Sequence, residues 1–159
     1  MTDLTDRLAR IEQRLSEHAD RRTAVGMTEP DTETNERWEA AQVWAHMAEF
    51  VPYWQGQAEH VAARFDGEAV PFGRVKSDAL RIAAVEAGRG APIDELSGSL
   101  SEALGAFRRY VEGLGPVERR AVGRHPTLGE MEVEEIIGRF VVDHLEEHLE
   151  QLDRLDAGP

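Results

Sequence analysis

Cysteine is absent from the sequence. Disulfides, thiolate metal ligands and a cysteine nucleophile are therefore excluded, and any thiol chemistry must use a thiol brought by a cosubstrate. Long apolar runs are also missing. Stretches such as Phe140-Val141-Val142 are far short of the roughly 20 residues a helix needs to cross a bilayer, so no membrane partner is expected. The start, Met1-Thr2-Asp3-Leu4, has no basic stretch followed by an apolar one, which predicts a cytoplasmic protein. Basic charge is scarce too. Lys and Arg number 18 against 31 Asp and Glu, a formal net charge of -13. Arg-rich spots such as Arg119-Arg120 sit among acids. A chain this acidic repels a phosphate backbone, so nucleic acid is not an expected partner. Internal repeats, low-complexity tracts and convincing period-two alternation are lacking as well.

What is present is a foldable composition, with 41% hydrophobic and 31% charged residues over 159 positions. That length suits one domain with a real core, spanning 1–159. The apolar residues recur with helical spacing. Leu4, Leu8, Ile11 and Leu15 mark a first helix from Thr2 to about Ala19. Residues from about Asp20 to Asn35 read as a loop, with Asn35 as the N-cap of the next helix. That helix runs from about Glu36 to Phe65, with a kink or break expected at Pro52. Asp66 to Gly73 is a connection, and Val75 to Ala87 a short extra helix. Pro92 to about Leu114 is the next long helix, with Leu96, Leu100, Leu104, Phe107 and Val111 on one face. Val117 to Gly129 reads as a connection, and the last helix as Met131 to about Leu155. Four long amphipathic helices predict an all-α four-helix bundle with a short helix between the middle pair.

The chemistry lies in the histidines. On the last helix the apolar stripe reads Ile137, Phe140, Val141, His144, Leu145, His148, Leu149, Leu152. With leucine in place of His144 and His148 it would be ordinary core. Residues four apart carry Cβ atoms about 5–6 Å apart on one face. Two imidazoles so placed can converge on an ion at about 2.0–2.1 Å. Alone, the pair fits two hydrogen-bonded neutral histidines equally well. His46 shifts the balance, because it lies on an aromatic face with Trp38, Trp44 and Phe50. Three inward histidines from two helices match a metal site that keeps open positions. Burying three imidazoles with nothing to bind would be costly. His18, His60 and His125 lack such context and read as surface or loop residues, with His125 the best placed of them to approach the site.

His144-Leu145-Glu146-Glu147-His148 also fits the H-x-x-E-H pattern of certain zinc peptidases. Such enzymes need a further carboxylate ligand downstream, and only eleven residues follow His148. The peptidase reading is rejected.

The segment Glu36 to Phe50 resembles the second helix of the DinB/YfiT-like superfamily. His125 to Glu130, continued by Asp143 to His148, resembles its loop and final helix. Together with the helix order, the resemblance covers nearly the whole chain. It implies a four-helix bundle whose divalent metal ligands fall on His46, His144 and His148. Mycothiol-dependent maleylpyruvate isomerases are similar in fold but place a glutamate at one final-helix ligand position, where this chain has histidine at both. The resemblance further implies a low-molecular-weight thiol cosubstrate such as mycothiol, a small-molecule electrophile, and often a homodimer.

The leading expectation is thus a metal-dependent thiol S-transferase. Zn is the first choice of ion, with Ni, Fe or Mn as alternatives. Arg74 and Arg81 are the candidate cations for acidic groups of the cosubstrate, against a plainer reading as solvent-exposed arginines. Two alternatives remain. One is a non-catalytic metal-binding or stress-response protein. The other is a metal-dependent hydrolase in which Glu49, one turn after His46, acts as base; its plainer role is a surface acid or an orienting partner of His46.

Overall fold

Pro52 lies inside the second long helix without ending it. In the computed structural model, which describes residues 2–21 and 25–157, that helix (α2) runs unbroken over Ala40–Arg64. Proline removes one hydrogen bond, to the Ala48 carbonyl. Pro52 is exposed and Ala48 half-buried, so water can serve the freed oxygen. α2 starts later than its apolar pattern suggested. Asn35 is no cap; it sits in the left-handed region with φ 59°. Glu39 caps instead: its backbone N–H donates to the Gln42 side chain at 3.1 Å, and the Gln42 backbone N–H donates to the Glu39 carbonyl at 3.0 Å.

α2 is the central helix. Val43, Met47, Phe50, Val51, Trp54, Ala58 and Val61 are buried along it. Around it stand α1 (Thr2–Arg21), α4 (Ile93–Gly113) and a last helical stretch made of α6 (Val133–Ile137), a π-helical turn (Gly138–Asp143) and α7 (His144–Ala157). The short α3 (Ala79–Ala87), capped by Asp78, lies against α2. This is a four-helix bundle with an extra helix between the middle pair, as expected. α1 buries Leu4, Leu8, Ile11 and Leu15 and is tied to the last helix by ion pairs, among them Arg7 with Asp143 and Glu146. Of the expected loop over 20–35, residues 22–24 lie outside the described residues.

The departure from an all-helical reading is a small sheet. After the four-residue helical turn α5 (Pro116–Arg119), the connection expected over 117–129 holds β2 (Val122–His125) and, after a turn, β3 (Gly129–Glu132). β2 pairs antiparallel with β3 and parallel with the two-residue β1 (Val70–Pro71). Strands of two to four residues are too short to show alternation, so periodicity could not reveal them. Gly123 is required in β2: a Cβ there would lie 2.5 Å from the Phe72 ring and 2.9 Å from Val61. The sheet delivers His125 to the flank of α2. Among the described residues, no helix is long and apolar enough to cross a membrane.

Candidate metal centre

His46 faces the last helix from the middle of the first half of α2, and His144 opens α7 directly after the π-helical turn. The fold brings His46, His144 and His148 together. One ring nitrogen from each falls in a set whose members all lie within 4.8 Å of one another. The ring centroids are 5.2 Å (His46–His144), 4.9 Å (His46–His148) and 4.6 Å (His144–His148) apart. Aromatic walls enclose them. Phe50 stacks on His144 at 4.3 Å and meets His46 edge-on at 5.0 Å. Trp38 meets His46 edge-on at 5.0 Å and lies over His148 at 6.1 Å.

Such an enclosure disfavours charge. Burial is the main cause that holds the His46 and His144 pKa well below the ordinary histidine value; the other imidazoles of the group add to it. Burial likewise pushes His148 down to about 4, with the Arg81 charge acting in the same direction. All three rings are therefore neutral at pH 7, the state a metal ligand needs.

Each ring has a different outer neighbour. His148 Nδ1 bonds the Gln151 Oε1 at 2.7 Å; as the amide oxygen only accepts, Nδ1 carries the proton. The His144 ring bonds the backbone of Phe140 within the π-helical turn. His46 Nδ1 lies 3.9 Å from Glu49 Oε2, beyond hydrogen-bonding distance. Two nitrogens in the group, His46 Nδ1 and His148 Nε2, are buried with no hydrogen-bond partner. Leaving a buried polar atom unsatisfied costs about 1–3 kcal/mol. A cluster of neutral imidazoles with orphaned nitrogens is the donor set a divalent ion such as Zn accepts. The residues present fit such an ion, and among the described residues no other histidine or carboxylate joins the group.

The remaining sequence-based candidates surround this centre. Glu49 is no free acid: both its oxygens take Arg74, Oε1 at 2.6 Å and Oε2 at 2.7 Å. Arg74 lies over the Tyr53 ring at 3.8 Å with its side chain 8% exposed, so the plainer reading of a solvent-exposed arginine fails. Arg81 is buried as well. It donates to the Lys76 carbonyl at 2.9 Å, pairs with Glu36 at 3.5 Å and stands 5.5 Å over Trp38. Trp38 thus touches both Arg81 and two histidines of the group.

Two histidines read as surface or loop residues are in fact buried. His18 places Nδ1 2.7 Å from Asp156 and Nε2 2.8 Å from Asp153, fastening the end of α1 to α7. His125 stacks on Phe140 at 5.3 Å and bonds the Arg74 carbonyl at 3.1 Å. Neither belongs to the triad. The groups that bury them, Asp153 and Asp156 for His18 and Phe72, Arg74 and Phe140 for His125, lie well away in sequence, so no local pattern marks them; the only hint for His125 is its loop leading into the last helix. His60 is half-buried on α2 and also apart from the triad.

No family model and no curated protein matches the chain. Solved structures do. YfiT from Bacillus subtilis, described as a probable metal-dependent hydrolase with an unusual four-helix bundle topology, superposes with a TM-score of 0.74 at 16% identity, over 98% of this chain and 85% of that one. A mycothiol-dependent maleylpyruvate isomerase superposes with a TM-score of 0.65 at 13% identity, over 94% of this chain and 60% of that one. The fold is thus the four-helix-bundle fold of YfiT. At these identities the likeness concerns the fold.

Proposed function

We propose that the chain is a metal-dependent enzyme in which His46, His144 and His148 hold one divalent ion, Zn first among Zn, Ni, Fe and Mn, and which activates a low-molecular-weight thiol for attack on a small electrophile. The observation that carries this reading is the neutral triad, His46 and His148 buried and His144 half-buried, with the orphaned nitrogens of the two buried rings. A bound ion would supply Lewis acidity, lowering the pKa of a thiol or water at its open positions. The chain has no cysteine, so the thiol has to be a cosubstrate. The aromatic enclosure by Trp38 and Phe50 excludes water and keeps the imidazoles unprotonated. Arg81, whose fork has donors beyond those engaged by the Lys76 carbonyl and Glu36, is suited to an acidic group of the cosubstrate, and Arg74 is the second candidate. We place this chemistry in the cytoplasm.

Hydrolysis with the same ligands is the second reading, favoured by the closeness of the Glu49 carboxylate to His46. It is the weaker one, because Arg74 holds both Glu49 oxygens in a fork and the nearer one stays 3.9 Å from His46 Nδ1. Elemental analysis of protein purified without added metal tests the shared premise, with about one ion per chain expected. Turnover of candidate electrophiles with and without thiol then separates the two. Full activity without thiol would overturn the transferase reading.

A further inference from the structure

His125 is held on every side. Its ring lies between Phe140, stacked at 5.3 Å, and Phe72, edge-on at 5.6 Å. Nδ1 accepts from the Thr127 backbone N–H at 3.2 Å and the Leu128 N–H at 3.3 Å. A nitrogen that accepts carries no proton, so the proton is on Nε2, which donates to the Arg74 carbonyl at 3.1 Å. The neighbouring Gly73 has φ +90°, and a Cβ there would sit 2.5 Å from the His125 ring. Gly73 N–H donates to Gln57 Oε1 at 2.7 Å. The backbone of 73 and 74 is thereby pinned between a ring from β2 and an amide from α2.

From that pinned point the Arg74 side chain crosses the Tyr53 ring and forks onto both oxygens of Glu49. Glu49 Oε2 in turn lies 3.9 Å from His46 Nδ1, one of the buried atoms with no partner. Arginine has a long stem with much rotamer freedom, so the tip is well placed only if the root is fixed. We propose that His125 is a positioning residue for the triad: it fixes the Arg74 backbone, Arg74 fixes Glu49, and the Glu49 carboxylate, 3.9 Å from His46 Nδ1 and short of a hydrogen bond, biases the His46 ring through its charge. The histidine contributes through its geometry as a neutral donor and acceptor, without touching the triad. Outer partners of metal-binding histidines commonly govern affinity by about 10–100-fold.

This inference rests on the metal reading only for its second measurement. The first uses the metal-free full chain at pH 7.5 and reads the imidazole nitrogen signals by NMR. His125→Ala and Arg74→Met should both shift the His46 ring signals and leave those of His144 and His148 in place. His125→Gln, which can donate to the same carbonyl, should restore the His46 signals, and His18→Ala should not move them. The second measurement is Zn affinity by chelator competition, expected to fall about 10-fold in His125→Ala and Arg74→Met and to recover in His125→Gln. If His125→Ala does not fold, Arg74→Met and His125→Gln carry both readouts. His46 signals identical to wild type in Arg74→Met, or His125→Gln as defective as His125→Ala, would overturn the proposal. If the wild type binds no Zn, the metal reading falls and the His46 signals still decide the role of His125.

Discussion

Gln151 Oε1 accepts a hydrogen bond from the Nδ1–H of His148 at 2.7 Å, and this bond decides which nitrogen of His148 is left for a metal: Nε2, buried and without a partner. The two residues are three apart on α7, so the orienting group rises from the helix that carries the proposed ligand. Gln151→Ala frees the ring to take the other tautomer. Zn affinity by chelator competition should fall at least about 10-fold, while the far-UV spectrum stays that of the wild type. Unchanged affinity would show that packing against Trp38 alone orients His148.

The ligand assignment has its own test. His46→Ala, His144→Ala and His148→Ala should each sharply reduce metal content. His18→Ala and His60→Ala should not, because neither belongs to the triad. His18→Ala should still cost stability, since it leaves Asp153 and Asp156 without their shared partner. Metal stoichiometry by elemental analysis decides the first point and urea melts the second. Full metal content in all five variants would refute the assignment.

The triad was legible because two of its members interrupt an apolar stripe and the third sits on an aromatic face. Those are local patterns that a helix converts directly into position. The bundle was legible for the same reason. What the pattern hid is tertiary or backbone-level. The π-helical turn before His144 changes no residue type, yet its Phe140 backbone holds the His144 ring. Arg81 looks like any surface arginine until Glu36 and Trp38, more than forty residues earlier, close over it. Glu39 replaced Asn35 as the cap because the Gln42 side chain takes the Glu39 backbone N–H while the Glu39 carbonyl takes that of Gln42, whereas Asn35 takes φ 59° in the preceding loop.

Gly88 is fixed by space. A Cβ there would lie 2.2 Å from the Ala45 Cβ and 3.3 Å from the Ala41 carbonyl, both on α2. Its own φ is an ordinary -75°, so alanine would be at no backbone disadvantage. Gly88→Ala must push α3 from α2 and should cost about 1–3 kcal/mol by overpacking, read by urea unfolding. A variant as stable as wild type would mean that α3 moves freely against the bundle.

The last prediction joins protons, metal and stability. The three triad histidines have folded-state pKa values below the unfolded value, His148 at about 4. As pH falls below about 6.5, the unfolded chain gains protons that the folded metal-free chain refuses. Stability is therefore complete above about pH 6.5 and declines through the window down to about pH 4. For His148 alone, a gap of about 2.5 units corresponds to about 3 kcal/mol at the acid end. The rings lie close together, so the three contributions do not simply add. A bound ion deepens the slope, because it needs neutral rings and binds only the assembled triad. At pH 8 and free Zn about 100-fold above its Kd, it should add about 2.7 kcal/mol and raise Tm by roughly 5–10 °C. At pH 5 that gain should be largely lost to proton competition. Four packed helices supply the core without the ion, so the metal-free protein should remain folded at pH 8. Thermal melts with and without chelator at the two pH values measure both effects. A Tm indifferent to chelator at pH 8, in protein shown to carry the metal, would mean that the ion does not bridge α2 and α7.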